Sequence, residues 1–254
     1  MKVLVIAHNS FSDVLNNGKT LESLFKSFRK EDFAQLFFSE NETPDFNFCN
    51  NYYKVTDIDV LKSIFKTNQN CGNHISEIKE NSVLIESKNG IFSTIFNIAK
   101  KFADKLTLFR DILWASNSWK SKKLFDWIED FSPDLIFYVG GDSGFSHEIA
   151  VFLSEKYNLP LSIYFTDDYI IYPTNRNIVD YFQRKRMKKF YNKTVNRSLL
   201  SYAIGDLMAN EYTKYFNKIF FPIMNSIDIA QYVPYQQVNK KIVFSYFGGL
   251  HLNR

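Results

Sequence analysis

Residues 131–172 constrain the fold more than any other stretch of this sequence. A short apolar run with β-branched and aromatic side chains, Leu135–Val139, predicts a buried strand. Three nearby glycines, a helical pattern ending at Tyr157 and a second apolar run, Leu161–Phe165, follow in that order. A strand, a helix and a strand within about thirty residues form a βαβ unit. The stretch therefore predicts an α/β fold built on a parallel sheet.

The rest of the chain repeats this alternation of strands and helices. Apolar runs predict further strands at Lys2–Ala7, Ala34–Phe38, Tyr52–Val55, Tyr202–Ile204 and Ile219–Phe221. Helical spacing predicts helices at Thr20–Arg29, Asp57–Lys66, Ile91–Phe109, Trp119–Phe131, Asn177–Leu200 and Leu207–Phe216. We therefore predict one Rossmann-like domain, a parallel sheet flanked by helices, over residues 1–225.

Several helix starts can be predicted from capping residues and turn signals. Thr20 would cap the first helix, and Asn17-Gly18 before it reads as a turn in which Gly18 permits positive φ. Thr56 or Asp57 would cap the second helix. Ser146 or Asp142 would cap the helix of the central βαβ unit.

Composition and charge exclude several classes of protein. A 45% share of hydrophobic residues is typical of a globular chain, and a net charge of +4 is too small to indicate a nucleic-acid partner. The two cysteines and four histidines have no metal-site spacing, so no metal or cofactor is expected. The N-terminus lacks a signal-peptide pattern, and no apolar run reaches the ~20 residues that span a bilayer. A cytoplasmic location is expected.

The last thirty residues read differently from the rest of the chain. Residues 226–240 contain Pro234 and no clear element, which predicts a linker. A fresh apolar run, Lys241–Phe247, then meets Gly248-Gly249, so residues 241–254 read as the start of a second domain. We expect the sequence to be the first half of a longer protein. The alternative is a last edge strand that completes a single-domain sheet.

These features resemble the N-terminal half of a GT-B glycosyltransferase of the GT4-like type found in bacterial surface-polysaccharide synthesis. The matching stretches are KVLVIAHNSF with NNGKT after it, KVTDIDVLKSIF, LFRDILW, KLFDWIEDFSPDLIF, DDY and YAIGDLMANEYTKYF, then FSYFGGLHLNR. The resemblance implies an acceptor-binding first domain and a second domain that binds most of a nucleotide-sugar donor. It also implies retention of configuration, no metal, and a pair of donor-holding glutamates in the second half.

Candidate site residues lie where predicted strands end. The carboxyl ends of parallel strands meet at one edge of a sheet, so the Gly140–Gly144 and Asp167–Tyr169 segments should be neighbours there. By the resemblance, Asp167 and Asp168 are catalytic candidates; one of them could instead cap the following turn. The candidates for acceptor binding are His8, Asn9, Asp142, Ser143 and Tyr169, each with a plain structural role as its alternative.

A second set of candidate residues is expected to bind the phosphates of the donor. Asn17, Gly18 and Lys19 match the family's glycine loop, and a helix N-terminus there would favour anionic oxygens. An ordinary Asn-Gly turn is the alternative. The resemblance also assigns donor-phosphate contacts to the C-terminal residues Gly248, Gly249 and Arg254.

A strongly basic stretch, residues 184–197, contains seven cations and no acid. On a helix it would suit an anionic membrane surface, on the inner face of the plasma membrane, or a polyprenyl-diphosphate acceptor. A solvated helix face is the alternative, and no nucleic-acid partner is expected. The cations are Arg184, Lys185, Arg186, Lys188, Lys189, Lys193 and Arg197.

Two further functions stay open from the sequence. The chain could belong to another GT-B enzyme, such as a sugar-nucleotide epimerase, or it could be a non-enzymatic Rossmann-like binding module. Fold alone does not distinguish them, and the sequence identifies neither the sugar nor the acceptor.

Overall fold

The computed structural model describes residues 1–12, 16–65, 70–75, 110–172 and 178–225. The predicted helix at Ile91–Phe109, the predicted linker at 226–240 and the predicted start of a second domain at 241–254 lie outside the described residues.

A single sheet of eight strands runs through the described part of the chain, in the order β4-β3-β2-β1-β5-β6-β7-β8. All neighbouring pairs are parallel except β3 and β4. The order from β3 to β7 is that of a doubly wound Rossmann sheet with an added strand at each edge. The strands are β1 Val3–Ala7, β2 Phe33–Phe37, β3 Tyr52–Lys54, β4 Asn73–Ile75, β5 Leu135–Gly140, β6 Leu161–Phe165, β7 Leu200–Ile204 and β8 Phe221–Ile223.

Helices connect most of these strands, and the prediction of a Rossmann-like α/β fold is confirmed. A short 3₁₀ turn, Lys30–Asp32, leads into β2, and residues 110–115 are helical. The α-helices are α1 Asn16–Phe25, α2 Asp57–Phe65, α3 Lys122–Phe131, α4 Gly144–Lys156, α5 Ile178–Arg197 and α6 Gly205–Phe216.

The sheet separates two hydrophobic cores because successive strand residues point to opposite faces. On one face Val3, Val5 and Ala7 of β1 pack with Leu21 and Phe25 of α1. On the other face Leu4 and Ile6 belong to a larger core that also contains side chains from α2 to α6. All five residues of β1 are at most 2% exposed, so this strand is covered on both faces. That explains why it reads as a continuous apolar run.

The first helix begins earlier than predicted. It starts at Asn16 and ends at Phe25, so Thr20 lies inside it rather than at its cap. The Thr20 hydroxyl accepts a hydrogen bond from Asn225 Nδ2 at 3.1 Å. Gly18 is likewise helical and has no positive φ, so the prediction of a turn at Asn17-Gly18 was wrong.

Gly18 is instead needed where α1 passes close to the chain that leaves β1. A Cβ at this position would lie 2.6 Å from Ser12 Cβ and 2.7 Å from the carbonyl oxygen of Ser10. Both distances are too short for real carbon contacts, and a carbonyl oxygen of the main chain cannot move aside as a flexible side chain would. The glycine therefore sets the distance between α1 and β1.

The capping predictions met different outcomes. Thr56 caps α2, because its Oγ1 accepts from Asp59 N–H at 3.2 Å while its own N–H donates to the Asp59 carboxylate at 2.9 Å. Ser143 directly precedes α4 and makes no side-chain cap, so neither Asp142 nor Ser146 fills the predicted role. The inward-facing side of α3 is apolar, and its residues Leu124, Trp127, Ile128 and Phe131 are all buried.

The edges of the sheet differ most from the prediction. Strand β4 lies in the stretch that the sequence left without an element, and it pairs antiparallel to β3. The last strand, β8, contains Pro222 instead of ending before it. A proline is tolerated there because β8 has a neighbour in the described sheet on one side only.

Replacement of Gly18 by alanine should destabilise the domain by about 1–3 kcal/mol, since overpacking against backbone costs that much. In a helix without such a neighbour the same change would stabilise the protein by about 0.5–1 kcal/mol. The sign of the change in unfolding free energy therefore distinguishes the two cases. Urea unfolding of Gly18→Ala should be compared with that of Gly141→Ala, whose added Cβ would meet no atom within 4 Å. A Gly18→Ala protein as stable as the wild type would contradict the close approach.

Candidate functional site at the carboxyl ends of the central strands

A small cavity opens where the strand order reverses, between β1 and β5. Three loops meet there, because β1, β5 and β6 are neighbours and end at the same edge. The cavity measures about 40 Å³. Its polar lining includes His8 and Asn9 after β1, Asp142, Ser143 and Ser146 after β5, and Thr166, Asp167 and Tyr169 after β6. Six of the seven residues predicted to be catalytic or to bind the acceptor line this one cavity.

His8 is the histidine of this cavity. The residue is exposed and lines the cavity. Crowding by protein atoms and the nearby positive charge of Arg110 lower the pKa of His8, while the carboxylates of Asp142, Glu42 and Asp57 oppose them. The imidazole is therefore neutral at pH 7 and can accept a hydrogen bond from a hydroxyl.

Two carboxylates and a phenol face His8 across the cavity. Asp142 accepts a hydrogen bond from the Ser143 hydroxyl at 3.1 Å, and Asp167 accepts one from Thr166 at 3.2 Å. Among the described residues neither Asp142 nor Asp167 forms an ion pair. Tyr169 is 36% exposed, and burial together with these carboxylates raises its pKa to about 12. The phenol stays protonated, so Tyr169 is a neutral donor beside the oxygen acceptors of the cavity.

The adjacent residues Asp167 and Asp168 have different environments. Asp167 lines the cavity, whereas Asp168 is not among the residues that line it. The Asp168 carboxylate accepts hydrogen bonds from three backbone N–H groups and the Tyr212 hydroxyl, at 2.6–3.1 Å. Burial acts to raise the pKa of Asp168, but these donors outweigh it and hold the pKa below its ordinary value. This matches the predicted alternative, a turn-capping role, for Asp168 and leaves Asp167 as the catalytic candidate.

Buried side chains beneath the cavity hold the loop after β5. The Gly141 carbonyl accepts from the Tyr191 hydroxyl at 3.3 Å and lies 3.2 Å from His147 Nε2. His147 is 1% exposed, and burial lowers its pKa to about 4, so it stays neutral. The Tyr138 hydroxyl bonds to Ser146 at 2.7 Å. Asp142 and Ser143 are therefore presented by a loop that is fixed from below.

An arginine next to the cavity was missed at the level of sequence. Arg110 Nε lies 2.8 Å from the Asp57 carboxylate, and the guanidinium stacks 5.0 Å from the ring centre of Phe145. Asp57 also accepts from Trp114 Nε1 at 2.7 Å. The sequence suggested only a helix-capping role for Asp57, and no local pattern links it to Arg110, which is 53 residues further along the chain.

The predicted phosphate-binding residues are only partly described. Asn17, Gly18 and Lys19 lie near the start of α1, and Leu21 of the same helix lines the cavity. The helix N-terminus is thus close to the site, and its role toward a phosphate stays a prediction. Gly248, Gly249 and Arg254 lie outside the described residues.

The cations of the basic stretch fall into three sets on α5. Arg186 pairs with Asp111, and Arg197 donates to the carbonyls of Ser154 and Leu159 at 3.1 and 3.2 Å. These two arginines join elements of the fold. Lys188 lies 5.1 Å from the ring centre of Tyr215, and Arg184 is half-buried. The exposed set consists of Lys185, Lys189 and Lys193, which share one helix face with the exposed ring of Phe182.

Two other features bear on function. In the part of the chain that the structure describes, no group of three metal-ligating side chains occurs, and no helix is long and apolar enough to cross a membrane. A larger groove of about 650 Å³ lies at the opposite edge of the sheet, between Lys2, Asn51 and α3. No predicted site residue falls in it, and its wall is held by the bond from Trp127 Nε1 to Asn51 at 2.6 Å.

Comparison with known proteins adds little to this geometry. No protein-family model matches the chain, and no curated protein matches it. Among solved structures the chain is similar to apo UGT2 of Phytolacca americana, a plant glycosyltransferase of the GT-B fold, with 8% identity and a TM-score of 0.36. The match covers 87% of this chain and 51% of UGT2, so the chain spans about half the length of that protein. A likeness at this level carries no argument about function.

The unequal environments of the two aspartates predict unequal effects on stability. Asp168→Asn should destabilise the fold by about 1–3 kcal/mol at pH 7, because an amide cannot satisfy the same donors. Asp167→Asn should change it by less than about 0.5 kcal/mol, as for an exposed residue. Since the pKa of folded Asp168 is depressed, its contribution is present above the ordinary carboxyl pKa of about 3.9 and is lost as the pH falls through the folded value.

The measurement is urea unfolding of the wild type and both variants between pH 7 and pH 3. The loss of unfolding free energy caused by Asp168→Asn should become smaller toward the acid end of that range. Equal destabilisation by the two substitutions at pH 7 would refute the assignment.

Proposed function

We propose that this chain is the acceptor-binding part of a glycosyltransferase. The reaction would transfer a sugar from a nucleotide-sugar donor to a hydroxyl of a glycan or lipid-linked acceptor, with retention, in bacterial surface-polysaccharide synthesis. One observation carries the proposal: hydroxyl-binding side chains from three separate loops converge on one cavity at the switch point of a Rossmann-like sheet. Ligands bind at this position in open α/β sheets.

The lining chemistry suits a polyhydroxyl acceptor. Neutral His8 and the carboxylate of Asp142 accept hydrogen bonds from hydroxyl groups, while Ser143 can both donate and accept. The half-exposed ring of Tyr169 offers an apolar face against which a pyranose could stack. No cationic side chain lines the cavity in the described residues, so the reacting hydroxyl rather than a phosphate fits here.

Asp167 is proposed as the group that acts on the reaction centre. Positive charge develops at the transferred carbon when the bond to the leaving phosphate breaks, and a fixed carboxylate stabilises such charge. Asp167 belongs to the same cavity as His8 and Asp142, which would hold the attacking hydroxyl. With front-face attack the leaving phosphate takes the hydroxyl proton, so no separate base is required.

The cavity's size supports a site with a second wall. About 40 Å³ is far below the roughly 300–1,000 Å³ of ordinary small-molecule sites, so the described loops can form only one side of a sugar-binding cleft. In the proposed enzyme the other side comes from a donor-binding domain. Reading the gene beyond codon 254 should therefore reveal a further domain with two glutamates eight residues apart.

We further propose that the exposed face of α5 contacts an anionic membrane surface. Lys185, Lys189 and Lys193 recur at helical spacing on one side, and Phe182 extends that side. Basic residues beside an exposed aromatic ring are typical of peripheral membrane contact. A cytoplasmic enzyme held at the membrane would meet a polyprenyl-linked acceptor there.

Activity gives the direct test of the transferase proposal. The full-length gene product should be incubated with nucleotide sugars and polyprenyl-diphosphate-linked oligosaccharides, and products read by mass spectrometry and by the anomeric NMR coupling. His8→Ala and Asp167→Asn should each reduce kcat/KM by at least about 100-fold, the usual effect of losing a group at the reaction centre. Glu31→Gln, at the opposite edge of the sheet, should leave kcat/KM unchanged.

Two results would count against this reading. Interconversion of nucleotide sugars without any acceptor would identify an epimerase. Full transfer activity in His8→Ala would show that the cavity is not the acceptor site.

Membrane contact can be measured on the chain itself. The partition coefficient onto vesicles of phosphatidylglycerol and phosphatidylcholine, measured by cosedimentation, should fall roughly 100-fold when Lys185, Lys189 and Lys193 are changed to glutamine, because each surface cation contributes about 1 kcal/mol. The matched control changes three exposed lysines elsewhere, Lys26, Lys122 and Lys214. An equal loss in both triple variants would mean that net charge alone drives binding, and no vesicle binding by the wild type would end the membrane proposal.

A further inference from the structure

The turn that carries His8 is held by strand β2 and the loop after it. The carbonyl of His8 accepts from the backbone N–H groups of Phe38 at 3.1 Å and Ser39 at 3.0 Å. This pairing extends the β1–β2 ladder beyond the last strand residues. The backbone of His8 is therefore fixed, although its side chain is free to face the cavity.

A buried glutamine holds the far side of the same turn. Gln35, in the middle of β2, is 0% exposed, and its side chain donates to the Asn9 carbonyl at 3.0 Å and accepts from Phe11 N–H at 2.9 Å. A buried amide in a central strand is costly unless both of its ends are satisfied. Here the turn after β1 satisfies both ends.

The carboxylate of Glu42 is the third group that holds the turn after β1. One carboxylate oxygen accepts from Asn9 Nδ2, and the other accepts from the backbone N–H of Ser10 at 2.6 Å and from the Ser10 hydroxyl at 3.3 Å. The carboxylate thus contacts the two residues that directly follow His8. Lys54 in turn anchors the loop of Glu42, since its ammonium donates to the carbonyls of Glu40 at 2.7 Å and Glu42 at 3.3 Å.

From this arrangement we infer that Glu42 is a positioning residue for His8: it orders the turn that presents the imidazole and sets the charge that the imidazole meets. The inference rests on the proposed function for the role of His8 toward an acceptor. Its structural part, the coupling of Glu42 to His8, can be tested without any transfer reaction.

Charges on several elements face His8 and determine the sign of the effect. Arg110 favours the neutral imidazole, whereas Asp142, Asp57 and Glu42 favour the protonated one. Arg110 is paired with Asp57, so these two largely offset each other. Removal of the Glu42 charge leaves Asp142 as the remaining unpaired carboxylate near the ring, and His8 should then bind a proton less readily.

The experiment is an NMR titration of the whole chain with ¹³Cε1-labelled histidine. Four histidine signals are expected, and the one absent from His8→Ala identifies His8. In Glu42→Gln the titration midpoint of His8 should fall below that of the wild type, because a nearby negative charge has been removed. In Glu31→Gln, which removes the same charge at the opposite edge of the sheet, the midpoint should stay in place.

A second variant separates charge from geometry. Glu42→Asp keeps the charge but shortens the side chain, so the His8 midpoint should stay near that of the wild type while the amide signal of Ser10 shifts. Thermal unfolding should remain cooperative in every variant. Equal His8 midpoints in Glu42→Gln and Glu31→Gln would overturn the inference, and so would an unmoved Ser10 amide in both Glu42 variants.

The same variants in the full-length gene product link the coupling to function. There Glu42→Gln should lower kcat/KM about tenfold and move the acid limb of its pH profile with the NMR midpoint, which a merely structural residue would not do. A shifted His8 midpoint in Glu42→Gln, without detectable sugar transfer by the wild type, would contradict the proposed function but not the coupling of Glu42 to His8. Detectable sugar transfer by the wild type, with an unshifted His8 midpoint in Glu42→Gln, would contradict only the role of Glu42.

Discussion

The parallel pairing of β1 with strands on both sides is the constraint on which the rest of this structure depends. β2 extends the sheet in one direction and β5 in the other, so the chain must leave β1 and return to it from opposite sides. Connections on the two sides then diverge above the carboxyl end of β1, and the cavity lies there, with Ala7 of β1 and Val139 of β5 in its lining. Both the cavity and the turn that carries His8 are consequences of this strand order.

Around that gap the molecule separates side chains that face the opening from side chains that hold them. His8, Asp142 and Asp167 have few partners among the described residues and stay accessible from the cavity. Their immediate neighbours do the opposite: Asp168 is saturated by four donors, and the Gly141 carbonyl is held by buried groups. Alternation of free and saturated groups along one loop fixes the loop while leaving the oxygens that line the cavity accessible.

The fold and the cavity lining could be predicted because both depend on local signals. Apolar runs reveal the strands, and the polar residues that follow Ala7, Gly141 and Phe165 must share an edge once the strands are parallel. The supporting contacts could not be predicted, because Glu42, Asp57 and Arg110 reach the site from loops and helices whose positions only the folded chain defines. Gly18 was misread for a related reason: a glycine next to asparagine signals a turn, and a close helix–strand approach has no sequence signature of its own.

The two edge strands of the described sheet also influence how readily a strand of another molecule could pair with this protein. Each ends on a strand of only three residues, and the middle residue of β8 is Pro222, which has no N–H to donate. A foreign strand approaching β8 would therefore find a short, incomplete row of donors, although Phe221 and the nearby Ile219 expose apolar side chains. Proline in an edge strand is one of the features by which proteins limit edge-to-edge pairing, and in the described sheet it lies beside these exposed apolar side chains.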